Sequence, residues 1–324
     1  TDNVWINEEK LAGFDIDEIL ETGNIVGGDN IDNDGNGKVD DVMGWNFKEN
    51  NNDAYQDYPA NDHGTHVAGC TGAIGNNGIG VSGVAMNVKM ISSKHAPTTY
   101  DYPYVYDGIS GMYYCIDSGA DIINCSFGGP GQGYQYNTCV DYGVDHGTLT
   151  VAAAGNDDME HSDTYQDYPA DCDNALCVAA TDENDVKANF SDYGEPIDVS
   201  APGVAIRSTI IEDDGYASYQ GTSMASPITA GVAALVKSVH PDLTPLELRQ
   251  RIMNTCDYID GLNPDHAGLL GTGRVNAFTA TMYDLIPRLS PDSYDLEELV
   301  GDGDGVANPG ETLNLTIMLQ NAFF

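Results

Sequence analysis

The chain has 324 residues, 41% of them hydrophobic, enough to bury the core of one large domain or of one domain plus a small appendage. Twelve Lys and Arg face 51 Asp and Glu, a formal charge of -39, which excludes a nucleic-acid groove because neutralising phosphates takes clustered basic side chains. No run of ~18 or more apolar residues is present to span a bilayer, and no basic-then-apolar leader opens the sequence, so a signal peptide is expected outside it. The acidic surplus admits three sources: metal-coordinating carboxylates, a halophilic or marine surface, or simple solubility.

Residues 1 to 62 are rich in Asp, Asn and Gly with short apolar pieces such as VWI, and read as a long loop region around a metal-like turn. That turn, Asp32 to Asp41, sets Asp32, Asp34 and Asn36 at alternate positions with Gly37 for a sharp bend, as the first half of a calcium-binding EF-hand loop does. The twelfth position is Met43 rather than Glu, so Asp40 or Asp41 would close a shorter loop. An acidic, Gly-rich turn without metal is the other reading.

From about residue 63 to 284, short β-branched or Ala-rich runs alternate with helical patterns. The runs start at Val88, Asp121, Thr148, Ala175 and Pro196; helices are predicted over 106–119 and from Ser223 to His240. Strands alternating with helices specify an α/β fold with a doubly wound parallel sheet. Residues 287–300 read as a polar linker, and 301–324, with the alternating ETLNLTIMLQN, as the start of a truncated β-sandwich-like domain. At its mouth, Asp302, Asp304, Asn308 and Glu311 form a further candidate calcium loop. The seven cysteines are an odd number without zinc-ribbon spacing; Cys172 and Cys177 lie close enough for a bridge, and Cys125 reads as a small buried hydrophobe.

Acyl transfer to a hydroxyl needs a nucleophile, a base, an orienting group and donors for an oxyanion. Three segments offer most of these: NDHGTHVAG (61–69), VAAAGN (151–156) and GTSMASP (221–227). Alone, each has a plainer reading. His63 and His66 could pair on a metal or sit at the surface, Asn156 could serve a turn, and Ser223 could be a helix N-cap with Pro227 tolerated in the first turns.

Together, in the order His, Asn, Ser, they resemble the subtilase family of subtilisin-like serine peptidases, in its long-loop, secreted bacterial form. The resemblance covers about residues 61 to 284 and includes SFGGPG from Ser126, FSDYG and VSAPG between Phe190 and Gly203, and GTGRVNAF from Gly271. It implies a serine endopeptidase acting through an acyl-enzyme on Ser223, with His63 as general base and Asn156 in the oxyanion hole. It implies protein or peptide substrates, the enzyme's own propeptide as partner, and an extracellular location. Ser126, Phe127, Gly128 and Gly129 would form the edge to which substrate adds as a strand. Those residues, with Ala153 and Gly155, would wall the pocket for the side chain before the scissile bond. Asp167, just before Tyr168 and Pro169, would lie at the pocket's base, where it either pairs with a substrate Lys or Arg or stays solvated. A calcium loop is implied at Gly75, Asn77, Ile79 and Val81.

One departure stands out. The family's triad opens with an Asp at the end of an apolar strand, and nothing in residues 1 to 62 has that form: Asp15, Asp17 and the Asp32–Asp41 cluster follow no such run. The segment TDNVWIN resembles the stretch just after that Asp, so the triad Asp and the first core strand are expected upstream. The competing class is a catalytically impaired, calcium-dependent binding or adhesion module. A zinc hydrolase on His63 and His66 is weaker, for want of a third ligand. The Tyr-rich loop from Thr99 either grips substrate or packs on its own rings.

Overall fold

The computed structural model describes residues 3–11, 13–15, 28–55, 58–101, 104–212 and 215–282, and the backbone of 289–300 and 312–321. Two units divide the chain, Thr1–Thr281 and Met282–Phe324. In the first, β1 (Gly44–Asn46) pairs in parallel with β2 (Ser92–Lys94). Next come β3 (Ile122–Cys125), β4 (Leu149–Ala153), the short β5 (Glu160–His161), β6 (Leu176–Thr181), the short β7 (Tyr193–Gly194) and β8 (Val199–Pro202). A four-stranded parallel sheet runs β3-β4-β6-β8, β5 pairs with β7, and β9 (Ile206–Thr209) and β10 (Tyr216–Tyr219) form an antiparallel hairpin.

The helices are α1 (His63–Gly72), α2 (Gly108–Asp117), α3 (Gly133–Asp145), α4 (Thr222–Val239), α5 (Pro245–Met253) and α6 (Ala277–Met282). Period two decides which face each strand residue takes. On β6, Leu176, Val178 and Ala180 pack into one apolar cluster with Ala225, Val232, Ala233 and Val236 of α4. Cys177 and Ala179, between them, enter the other, with Met112 and Ile116 of α2 and Cys139 and Val140 of α3. Both faces are covered, which is why these strands read as continuous apolar runs rather than alternating ones. Among the described residues no helix is long and apolar enough to cross a membrane.

The structure departs from the sequence reading at three places. The N-terminal stretch is not all loop: it supplies β1, and Val4 forms a parallel bridge with Met90, where the Val88–Lys94 run narrows to a three-residue strand. Leu289–Val300, read as linker, is a strand, β11, paired antiparallel with β12 (Thr312–Asn321); polar residues tolerate a strand when its backbone is paired. All seven cysteines are free, Cys172 and Cys177 included, and Cys125 is fully buried as read.

Candidate active site

The candidate residues gather where strands β3 and β4 end and α4 begins. Beyond β4 the chain runs through Gly155 to Asn156. Gly155 sits at φ +118°, and a Cβ there would lie 2.1 Å from the Asp192 carboxylate, so only glycine fits. Helix α4 starts with unsatisfied N–H groups. The Thr222 N–H donates to Asn156 Oδ1 at 2.8 Å and the Thr222 hydroxyl to the same oxygen at 3.1 Å. The Asn156 amide oxygen is thus committed, and its N–H groups make no hydrogen bond among the described residues. The Ser223 N–H likewise has no acceptor there, at the positive end of the helix dipole.

Ser223 Oγ donates to the Ser126 carbonyl at 3.3 Å, and Ser126 Oγ donates to the Ser223 carbonyl at 2.8 Å. Ser126 is held by Asn124 Nδ2 at 2.9 Å, and Asn124 in turn accepts from Ser226 Oγ at 2.7 Å. His63 opens α1 and lines the same large cleft as Ser126, Phe127, Gly128 and Gly129. Partial desolvation, and then neighbouring His66, lower the His63 pKa, with Asp62 opposing, while the residue as a whole stays exposed to solvent. No His63–Ser223 hydrogen bond and no carboxylate bonded to His63 occur among the described residues. His66 is no metal partner: it is fully buried, bonded at Nε2 to the Ala217 carbonyl and stacked on Tyr219 at 4.3 Å.

Among the described residues β2 and β3 are each paired on one side only, and Met90–Ser93 and Ile122–Cys125 line that cleft together with Ala68, Ala230 and His63.

Asp167 lies between the two candidate pocket walls. A Cβ on Gly128 would meet Asp167 Oδ1 at 2.0 Å, and one on Gly155 would lie 3.5 Å from Oδ2. Oδ1 is buried without a partner. Burial raises the Asp167 pKa to about 6, His161 and the Gly129 N–H lowering it and Asp171 and Asp192 raising it. Gly129 exchanges both backbone hydrogen bonds with Tyr168, at 3.2 and 3.0 Å, so this end of the edge is already paired. Sequence reasoning missed the group beneath: His161 Nδ1 is 2.6 Å from Asp171 Oδ1, and Nε2 is 3.7 Å from Asp192 Oδ2. Burial opposes charge on His161, but the two carboxylates outweigh it and lift the imidazole to about 9. The Tyr-rich loop reaches the cleft through Tyr104 and Val105, and Tyr100, Tyr104 and Tyr106 are exposed.

The candidate calcium ligands are brought together unevenly. Asp32, Asp34, Asn36 and Asp41 surround the ammonium of Lys10, whereas Asp40 turns away and accepts from the Asn30 N–H at 3.1 Å. Asn77 Oδ1 accepts from the Ile79 N–H at 2.9 Å in the Gly75–Val81 loop. Asp302, Asp304, Asn308 and Glu311 lie outside the described residues. No group of three or more His, Cys, Asp or Glu among the described residues is arranged to hold a metal ion.

The chain that carries this arrangement, with Ser at a helix start, Asn at a parallel strand's carboxyl end and His opening a neighbouring helix, is similar to known proteins. The subtilase family pattern covers residues 15–278, and the chain belongs to the subtilase family. It is 39% identical to subtilisin NAT of Bacillus subtilis subsp. natto over 216 residues, 67% of this chain and 55% of that one, so it spans about half the length of that relative. Thermitase of Thermoactinomyces vulgaris is 38% identical over 247 residues, 76% of this chain and 82% of thermitase. Among solved structures, a protease of Pseudoalteromonas arctica superposes with a TM-score of 0.60 at 34% identity, covering 68% of this chain and 70% of that one.

Proposed function

We propose that the protein is a serine endopeptidase that cleaves proteins through an acyl-enzyme on Ser223. The observation that carries this is the clamp of Thr222 on the Asn156 amide oxygen. It leaves the Asn156 N–H groups and the Ser223 N–H as free donors beside the Ser223 hydroxyl, the placement a developing oxyanion requires. Ser223 Oγ would swing from the Ser126 carbonyl toward His63, which takes its proton as oxygen attacks the substrate carbonyl. His63 then returns that proton to the leaving amine, and water reverses the sequence to free the acid.

Strands β2 and β3 each keep an unpaired edge among the described residues, and we assign to such an edge the strand carrying the Asp that orients His63, as the family resemblance implies. A strongly downfield His63 Nδ1 proton resonance in the full-length protein, lost in His63→Ala, is the expected signature; its absence removes the assignment. Asp167, between the pocket walls, would favour Lys or Arg before the scissile bond; large apolar side chains are the alternative. Calcium is retained at the Gly75–Val81 loop, where the carbonyls of Gly75, Ile79 and Val81 and the Asn77 amide offer hard oxygens and would brace the loop without joining the chemistry. Export and a propeptide complete the reading; enzyme in the culture medium, with a shorter N-terminus than its gene encodes, is the result expected.

A serine-directed organophosphorus reagent tests the chemistry. Intact-mass analysis should show one adduct, absent in Ser223→Ala and strongly reduced in His63→Ala. A folded full-length protein that takes no adduct would instead support the binding-module reading.

A further inference from the structure

The loop Asp32–Asp41 is folded as a cation site. Counting from Asp32, the side chains of Asp32, Asp34 and Asn36 occupy the first, third and fifth positions and the Lys38 carbonyl the seventh, the stations an EF-hand uses to hold calcium. The loop's own N–H groups fix these oxygens in place. Gly35 and Gly37 donate to the Asp32 carboxylate at 3.0 and 2.8 Å, Asn36 to Asp34 at 3.1 Å, and Lys38 to Asn36 at 2.8 Å. At the point where these oxygens converge lies Lys10 Nζ, 2.8 Å from Asp32, 2.8 Å from Asp34, 2.9 Å from Asp41 and 3.5 Å from Asn36, and bonded to the Lys38 carbonyl.

The delivery of Lys10 is equally specific. Its side chain is 0% exposed, although lysine normally keeps its ammonium in water. It ends the short turn Glu8–Lys10, capped by Asn7, whose side-chain oxygen accepts from the Glu9 N–H at 3.2 Å. Asn7 also straps that turn to the loop, donating Nδ2 to Asp34 at 3.0 Å and its backbone N–H to the Val42 carbonyl at 2.8 Å. Its ammonium is met by the carboxylates of Asp32, Asp34 and Asp41 and by the Lys38 carbonyl, which supply the partners that water would otherwise give it.

We propose that the Lys10 ammonium is the resident cation of this loop, standing where a divalent metal would sit, and that removing its charge opens a calcium site. The two cations exclude one another, because calcium needs the same oxygens at about 2.3–2.6 Å. Three carboxylates without a cation would repel one another, so the loop needs one at all times. A covalently attached cation stays at high local concentration, and the loop's stability no longer depends on the calcium around it.

Calorimetric titration with calcium chloride, on the full-length protein carrying Ser223→Ala to prevent autolysis and stripped of metal beforehand, tests this. Asp34→Asn should leave the number of bound calcium ions unchanged while Lys10 is present. Lys10→Met should bind one more per chain, and Lys10→Met/Asp34→Asn should lose it again. Should Lys10→Met be unfolded in chelator, refolding on addition of calcium chloride, blocked by Asp34→Asn, counts in favour. A calcium lost on Asp34→Asn with Lys10 in place, or a folded Lys10→Met that gains none, overturns the proposal.

Discussion

Ser126 and Ser223 hold each other by reciprocal hydrogen bonds, hydroxyl to carbonyl in both directions, at 2.8 and 3.3 Å. The cause lies one turn along α4. Pro227 has no N–H, so the Ser223 carbonyl lacks its donor four residues on and is free to accept from Ser126. A proline in the helix of the candidate nucleophile therefore fastens that helix to the end of strand β3.

Ser126→Ala should lower kcat/KM on a protein substrate about fivefold, the effect of one neutral hydrogen bond worth ~1 kcal/mol. In a Pro227→Ala background, where the helix supplies its own donor to that carbonyl, the loss should shrink. Equal losses in both backgrounds would show that the two sites are uncoupled.

Thr222→Val keeps the side chain's shape and the backbone bond to Asn156 but removes the hydroxyl that donates to Asn156 Oδ1 at 3.1 Å and accepts from the Gly155 N–H at 3.2 Å. The expected result is a fall in kcat of about fivefold to thirtyfold with little change in KM, since an oxyanion donor acts in the transition state and each lost hydrogen bond contributes ~1 kcal/mol. Thr222→Ser should recover most of it. A change confined to KM would place Thr222 in substrate binding instead.

Asp167 titrates near 6 and is anionic above that pH, with His161, Asp171, Asp192 and the Gly129 N–H as its surroundings. The ratio of kcat/KM for peptides ending in Arg over those ending in Phe should rise as pH passes through about 6, by roughly fivefold for an ion pair worth up to ~1 kcal/mol. Asp167→Asn should flatten it. A Phe or Leu preference that the substitution leaves alone would remove Asp167 from specificity.

His161 carries a pH-dependent share of stability. Its folded pKa of about 9 exceeds the unfolded value of 6.5, so the contribution is complete below pH 6.5 and lost as pH rises through 9. It amounts to roughly 3 kcal/mol at its upper limit. Denaturant titrations of the protein and of His161→Gln should differ most below pH 6.5 and converge above pH 9; a constant gap would mean that packing, not charge, is what the imidazole supplies.

The catalytic candidates were legible because each sits in an unbroken local motif: His63 at a helix start, Asn156 after a strand of small residues, Ser223 before an Ala-rich run. Local chemistry of that kind survives in one dimension, as do the continuous apolar runs, set between helical patterns, that become β3, β4, β6 and β8. The support beneath the candidate pocket did not survive, because His161, Asp171 and Asp192 approach one another only when separate loops fold together.

The Asp32–Asp41 loop divides the two sources of information most sharply. Its residues by themselves determined a ring of oxygens built for a positive charge, since the spacing of side chains along a tight turn is a local property. Which charge fills the ring was decided only by tertiary structure. Lys10, far along the chain and one of 12 basic residues among 51 acidic ones, carries no local sign of its destination. Only the packing of its turn against Asp34 and Val42 brings the ammonium to the centre. Burial there is tolerable because three carboxylates meet it at hydrogen-bonding distance, a match that exists in space and nowhere in the order of residues.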